Sequence, residues 1–219
     1  SEPPLTDIVK VAHQAGIPVV DDLGSGTLLD TSDFGLGHEP MVQESLAADV
    51  DLVCFSGDKL FGGPQAGIIL GKSNLVSKLK KHPLARAIRA DKLCLAALSA
   101  TLLHYMKSDA LAKIPVWSMI SQPLDNIHQR AIRWTEILDQ GAIIEGESTV
   151  GGGSLPGETL PTWLVAFKVR HANRLLANLR EAQPPIIARL EDDQLVLDPR
   201  TVLIHQEEAL LDNLQRILN

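Results

Sequence analysis

The amino-acid sequence predicts an α/β fold followed by a smaller α+β region. Three short apolar segments, residues 17–20, 51–55 and 67–71, predict buried strands in the first half of the chain. Helical or loop segments separate them, and strands that are apolar on both faces are typical of a sheet covered by helices on both sides. With 45% hydrophobic residues, the 219-residue chain has the apolar content of a packed globular protein.

Apolar spacing and capping residues predict the helices of this first half. Helices are expected at residues 6–16, 40–46, 73–81 and 90–106. The first carries Ile8, Val11 and Ala12 on one face. The last is long and has a wide apolar face that includes Leu93, Ala97, Ala100 and Leu103.

The pattern changes in the second half of the chain. Apolar residues at alternating spacings of three and four predict an amphipathic helix at 124–138. The elements expected after it are a strand at 163–169, a helix at 175–179, a hairpin around the acidic turn 191–193 and a closing helix at 210–217. The sequence therefore predicts two domains, 1–112 within the α/β layer and 113–219 as a smaller α+β domain.

Charge is distributed unevenly along the chain. The net charge is −7, but the segment from Lys72 to Lys92 has seven cations and one anion, so it carries +6 and the remainder −13. A domain that binds nucleic acid by neutralising phosphates is expected to be broadly basic. We therefore expect a local anion site and no extended nucleic-acid surface in this chain.

Composition excludes further classes of protein. No run approaches the ~20 apolar residues of a membrane-spanning helix. The two cysteines, Cys54 and Cys94, have apolar sequence neighbours, which suits buried thiols in a reducing cytoplasm. No histidine spacing matches them, so no metal site is expected.

The first candidate site residue is Asp21, where the first predicted strand ends. Ligands of open α/β sheets bind outside the carboxyl ends of strands, so a carboxylate there can meet one. A turn-capping role together with Asp22 and Gly24 is the alternative.

The second candidate is Lys59, close behind the next strand, with Ser56 three residues before it and a Gly-Gly-Pro turn after it. This arrangement suits an amine that attacks a carbonyl to form a Schiff base. The serine hydroxyl can donate to a phosphate. A solvated lysine in a loop is the alternative.

The third candidate is the pair Arg86 and Arg89 within the basic segment. A spacing of three puts both guanidinium groups on one face of a helix, where they can clamp a phosphate-like anion. A solvated basic face is the alternative.

Four segments carry a family resemblance. They are Val19–Gly26, Phe55–Gly67, His82–Lys92 and Gly151–Gly157. Together they resemble the corresponding segments of bacterial selenocysteine synthases, the L-seryl-tRNA(Sec) selenium transferases. The matches spread over most of the chain and are more specific than a general cofactor-fold signature.

The resemblance implies a fold-type-I enzyme that uses pyridoxal 5′-phosphate (PLP), with this chain forming part of the large domain and a smaller α+β domain. It implies that Lys59 bonds to the cofactor aldehyde and that Asp21 pairs with the ring nitrogen. Ser56 would contact the cofactor phosphate, and Asp58 is a further active-site candidate.

The resemblance also implies conversion of seryl-tRNA(Sec) to selenocysteinyl-tRNA(Sec) through an aminoacrylate, with selenophosphate held by Arg86 and Arg89. Members of the family are longer, so we expect this chain to be a C-terminal part that is incomplete for activity alone. The tRNA would then be bound mainly by an N-terminal region. A cytoplasmic homo-oligomer is expected, since partner subunits complete each site in that family.

Two other functions remain open at this stage. One is a related PLP-dependent lyase acting on a small phosphorylated amino acid, with the same lysine and carboxylate. The other is a fragment that folds or associates without catalysis.

Overall fold

The computed structural model describes residues 3–151 and 153–218. Its helices are α1 Leu5–Gln14, α2 Val42–Ala47, α3 Ser73–Lys81, α4 Pro83–Ala87, α5 Lys92–Met106, α6 Ala110–Lys113, α7 Pro115–Ile120, α8 Leu124–Leu138, α9 Ala172–Glu181 and α10 Glu207–Leu218. Its strands are β1 Val20–Gly24, β2 Leu52–Ser56, β3 Gly67–Gly71, β4 Ala142–Thr149, β5 Thr159–Lys168, β6 Arg189–Glu191 and β7 Gln194–Leu197. The predicted mixture of helices and strands is confirmed.

The contacts divide the chain into two compact units. The first runs as far as Ser118 and also takes in Val150–Glu158, and the second comprises Met119–Thr149 and Thr159 onwards. This division differs from a boundary at residue 112, because Trp117 is fully buried and its indole N–H donates to the Tyr105 hydroxyl at 2.7 Å. The predicted domains 1–112 and 113–219 stay a prediction.

The first unit is built on a three-stranded sheet in the order β1-β2-β3. Strands β1 and β2 are parallel, with Asp21 beside Val53, and β3 is antiparallel to β2, with Gly67 beside Ser56. The core of this unit is the buried cluster Val9, Val42, Val50, Val53, Phe55 and Phe61. Alternate residues of β2 enter this cluster, which fixes the face of the sheet on which α1 and α2 pack.

The second unit has a four-stranded antiparallel sheet in the order β4-β5-β7-β6. Its core combines Trp134 and Leu138 of α8 with residues of β5, β7, α9 and α10. The predicted hairpin is confirmed: β6 and β7 are joined by Asp192 and Asp193, both with positive φ, as the tight two-residue hairpin turn requires. Strand β4, by contrast, was not predicted.

In two helices, α1 and α5, the predicted apolar face is not the face that packs against the core. In α1 the core side is formed by Leu5 and Val9, whereas Val11 is 68% exposed. In α5 the residues packed against the core are Leu98 and Tyr105, and Leu93 is 82% exposed. Leu93 and Leu103 of the predicted apolar face are therefore exposed. The helix is apolar nearly all round, so the sequence period alone does not identify the side that meets the sheet.

Strand β1 also begins later than predicted. It starts at Val20, so Asp21 lies within the strand and does not follow it. The cause is the pairing with β2, which extends through Asp22 to Gly24. Cys54 and Cys94 are free thiols that are half-buried, not fully buried, and burial raises the pKa of Cys54.

No helix among the described residues has both the length and the apolar character needed to cross a membrane.

Candidate active site

Lys59 lies in a compact turn that follows β2. The turn is closed by backbone hydrogen bonds from Gly57 N to Ala66 O at 2.8 Å and from Gly63 N to Gly57 O at 2.7 Å. A third bond, from Gly62 N to Lys59 O at 2.9 Å, fixes the lysine backbone itself. The position of Lys59 therefore follows from the end of β2 and from the glycines that the tight turn needs.

The Lys59 amine lies close to two glycines. A Cβ built on Gly24, the last residue of β1, would be 3.6 Å from Lys59 Nζ, and one built on Gly153 would be 3.9 Å away. The lysine is half-buried, and the described residues place no carboxylate within ion-pair distance of it. A free amine thus lies beside the carboxyl end of β1.

Lys59 lines a cavity of about 290 Å³. Its walls are Asp58–Leu60, Gly62, Gly63, Pro115, Val116, Val150, Gly151 and Ser154. The loop Val150–Glu158 that closes one side is held at its end, where Glu158 accepts a hydrogen bond from Gly37 N. Gly152 of this loop lies outside the described residues, so the corresponding part of the resemblance is not described. Asp58 is exposed at the cavity.

Asp21 has a well-defined partner. Its Oδ2 accepts a hydrogen bond from Ser45 Oγ at 2.7 Å, and Ser45 is 2% exposed. Among the described residues, Oδ1 of Asp21 receives no hydrogen bond. Strand β1 carries Asp21 three residues before Gly24, a separation of about 10 Å at ~3.3 Å per residue.

Two serines complete the surroundings of these strand ends. Ser56 is the half-buried last residue of β2. Ser25 directly follows β1 and is 2% exposed, and its hydroxyl has no hydrogen-bond partner among the described residues. A buried hydroxyl without a partner costs free energy unless a ligand or water satisfies it.

The two arginines lie in a different cavity. Arg86 and Arg89 are exposed and line a concave surface of about 480 Å³ together with Lys80, Lys81, His82, Pro83 and Ala85. In the part of the chain described, none of these cations is within ion-pair distance of a carboxylate. The surface is thus open to an anion, but its lining shares no residue with the cavity around Lys59.

Sequence reasoning missed Ser45 and Glu158. Ser45 lies three residues after the buried Val42, so the helical period indicates that it faces inward. A buried serine needs a partner, but nothing in the sequence identifies Asp21 as that partner. Glu158 gave no signal, since its hydrogen bond joins it to Gly37, 121 residues earlier.

A comparison with solved structures first shows the fold. The structure of a D-glucosaminate-6-phosphate ammonia-lyase resembles this chain with a TM-score of 0.56 and 20% identity, covering 99% of this chain and 53% of the other. At this identity the likeness shows the fold alone. It confirms the predicted α/β class.

Sequence comparisons then give the family. The family described as "SelA: L-seryl-tRNA selenium transferase" matches residues 1–203. Similar curated proteins named L-seryl-tRNA(Sec) selenium transferase come from Carboxydothermus hydrogenoformans, 46% identical over 98% of this chain and 47% of that protein, and Aquifex aeolicus, 42% identical over 98% and 49%. The chain belongs to the SelA family, and it spans about half the length of the curated relatives it matches.

Proposed function

We propose that this chain supplies central catalytic residues for the conversion of seryl-tRNA(Sec) to selenocysteinyl-tRNA(Sec), with selenophosphate as the selenium donor. Membership of the SelA family and the names of its curated relatives support the reaction. The observation that carries the assignment to residues is the free amine of Lys59 beside Gly24, at the end of the strand that bears Asp21.

Three features support a fit between these residues and PLP. The Lys59 amine is free of carboxylate partners among the described residues. Asp21 keeps one carboxylate oxygen available while Ser45 occupies the other. The buried Ser25 hydroxyl has no protein partner in the described chain. Amine, carboxylate and hydroxyl are the groups that an aromatic aldehyde with a ring nitrogen and a phosphate can use.

When bound, PLP supplies an electron-withdrawing ring that stabilises negative charge at the α-carbon of an attached amino acid. Lys59 would hold the cofactor through its amine, and the same amine would move the proton at that α-carbon. Asp21 holds a proton on the ring nitrogen through its free oxygen, and Ser56 donates to the phosphate. Asp58, exposed at the same cavity, is proposed to contact the substrate.

Arg86 and Arg89 are proposed to bind selenophosphate. Arg86 lies in α4 and Arg89 just beyond its end, so they do not share one helix face as predicted, but both line one cavity. There each guanidinium group can donate two hydrogen bonds to phosphoryl oxygens and so orient the selenium atom. Lys80, Lys81 and His82 line the same cavity, and the lysines add positive charge. Because the arginine cavity shares no lining residue with that of Lys59, we propose a homo-oligomer whose subunits complete each other's sites.

We further propose that residues 1–112 form part of the PLP-binding large domain and 113–219 the small domain. Contacts with tRNA are assigned mainly to a region outside this chain, which agrees with its net charge of −7. The free thiols of Cys54 and Cys94 suit a cytoplasmic location.

The test is selenium transfer by the full-length gene product with PLP, seryl-tRNA(Sec) and labelled selenophosphate. Lys59→Ala is expected to abolish transfer, whereas Lys78→Ala, which removes an exposed lysine of α3 outside both cavities, is expected to leave it unchanged. Retained turnover in Lys59→Ala would refute the assignment.

The double variant Arg86→Ala and Arg89→Ala tests the donor site. It is expected to raise the selenophosphate concentration needed for half-maximal rate by at least about tenfold, the equivalent of one lost charge-assisted hydrogen bond. Binding of tRNA should change far less. An equal loss of both would exclude a specific selenophosphate clamp.

A further inference from the structure

The side chain of Asp21 is shared between a protein donor and an open position. Ser45 Oγ donates to Oδ2 at 2.7 Å, and the described residues supply nothing to Oδ1. A carboxylate held by one oxygen loses its freedom to rotate about its terminal bond. The direction in which the other oxygen accepts a hydrogen bond is then fixed as well.

Ser45 is itself rigidly held. It lies on α2, whose start is tied to the segment after β1 by a hydrogen bond from Val42 N to Thr27 O at 3.2 Å. The carboxylate of Glu44 accepts from Met41 N at 2.8 Å, which closes the first turn of the helix. Both Val42 and Ser45 are 2% exposed. The hydroxyl therefore has little freedom to leave Asp21.

We propose that Ser45 is a positioning residue for Asp21. By holding Oδ2, it would fix the direction in which Oδ1 is offered to the ring nitrogen of the cofactor. This inference rests on the proposed function, because it assigns to Asp21 the role of ring-nitrogen partner. Ser45 does not touch the cofactor and acts only through the carboxylate.

The contrasting role for Ser45 is purely structural, as a link between α2 and β1. The two roles predict different effects on the absorbance spectrum of bound PLP. Loss of a structural link lowers the stability of the unit and leaves the spectrum of retained PLP unchanged. Loss of a positioning group changes the protonation of the cofactor, because its ring nitrogen then has a less well-aligned partner.

The test is a PLP titration of the full-length gene product, followed by a pH titration of the cofactor's near-visible absorbance. In Ser45→Ala the dissociation constant of PLP is expected to rise roughly tenfold, as for one hydrogen bond to a charged group. The midpoint of the pH titration should shift from that of the unsubstituted protein. Ser45→Cys, with a weak donor of similar size, should give intermediate values.

Thr31→Val is the matched control. Thr31 is fully buried in the same unit, and its hydroxyl donates to Gly37 O and accepts from Glu39 N. The variant therefore also loses one buried hydroxyl, but that hydroxyl has no hydrogen bond with Asp21. It is expected to lower thermal stability while PLP affinity stays within about twofold. If Ser45→Ala does not fold, Ser45→Cys is compared with Thr31→Val instead.

A double-mutant cycle isolates the pathway through Asp21. In an Asp21→Ala background, Ser45→Ala should cause no further loss of PLP affinity. Additive losses, or a Ser45→Ala spectrum and affinity matching those of Thr31→Val, would overturn the inference. A different result would refute the proposed function itself: PLP would not bind through Lys59 in the unsubstituted protein.

Discussion

The amine of Lys59 lies close to Gly24, so that a Cβ built on the glycine would be 3.6 Å from Nζ. Lys59 lies in the turn after β2, and Gly24 is the last residue of β1. The strands β1 and β2 are adjacent and parallel. Parallel pairing brings the carboxyl ends of both strands to the same edge of the sheet. The lysine and the strand that carries Asp21 thereby meet.

Gly24→Ala is expected to weaken PLP binding. Gly24 has φ +69°, so an alanine costs about 1–2 kcal/mol of backbone strain, and its methyl group occupies space next to the amine. Gly16→Ala is the control, because Gly16 has φ +70° with open space around its Cβ position. Both variants should lose similar thermal stability, but only Gly24→Ala should raise the dissociation constant of PLP. Equal PLP affinities of the two variants would contradict the close approach of the Lys59 amine to Gly24.

His38 links two carboxylates, with Nδ1 3.0 Å from Asp30 and Nε2 3.0 Å from Glu44. Hydrogen bonds to these groups raise the pKa of His38 above 6.5, and the bond from His38 is the largest cause that lowers the pKa of Asp30 from 3.8 to about 2. The histidine's contribution to stability is complete below pH 6.5 and is lost as the pH rises through its folded pKa. The contribution of Asp30 is complete above pH 3.8 and is lost as the pH falls towards 2.

His38→Ala should therefore lower the melting temperature most at intermediate acidity, near pH 5, and least at pH 9. Thermal unfolding followed across this pH range measures the difference. His205→Ala, which removes an exposed histidine of the second unit, serves as the control. A difference that does not vary with pH would show that the bridge is not ionic.

Arg200 joins separate segments of the second unit. Its Nη1 donates to Met119 O at 2.9 Å and its Nη2 to Pro161 O at 2.6 Å, and the burial that this requires lowers the pKa of the guanidinium. Arg200→Lys should destabilise the unit by about 2–4 kcal/mol, since the single nitrogen of a lysine cannot occupy the positions of both Nη1 and Nη2.

Chemical denaturation of the variant measures this loss. Arg133→Lys is the control, because the Arg133 side chain is 66% exposed and its Nη1 is 3.8 Å from a Glu207 carboxylate oxygen, too far for a hydrogen bond. It should change stability by less than about 0.5 kcal/mol. A similar small change for Arg200→Lys would mean that the buried hydrogen bonds contribute little.

Much of the fold could be predicted because local chemistry determines it. The strand 51–55 and the hairpin turn at Asp192 and Asp193 are found where apolar runs and turn residues indicate them. Strand β4 could not be predicted in this way, since it alternates weakly and is stabilised mainly by pairing with β5. The sequence likewise could not show which face of α5 packs against the core, because this helix is apolar nearly all round. Tertiary contacts place Leu98 and Tyr105 on that face.

The candidate site shows the same limit. Ser56 and Lys59 follow from the end of β2 and from a glycine turn, which are local signals, whereas Asp21, expected where a strand ends, lies within β1. The hydrogen bond from Ser45 to Asp21 joins residues 24 apart, and only the packing of α2 on the sheet brings them together. Sequence likewise could not show that Arg86 and Lys59 line separate cavities.

The most direct test of the central claim is to identify the lysine that binds PLP. The PLP-loaded full-length gene product is reduced with borohydride and digested, and the peptide that carries the phosphopyridoxyl mass is sequenced by mass spectrometry. We expect that mass on Lys59. Its presence on another lysine, or its absence from the protein, would contradict the account.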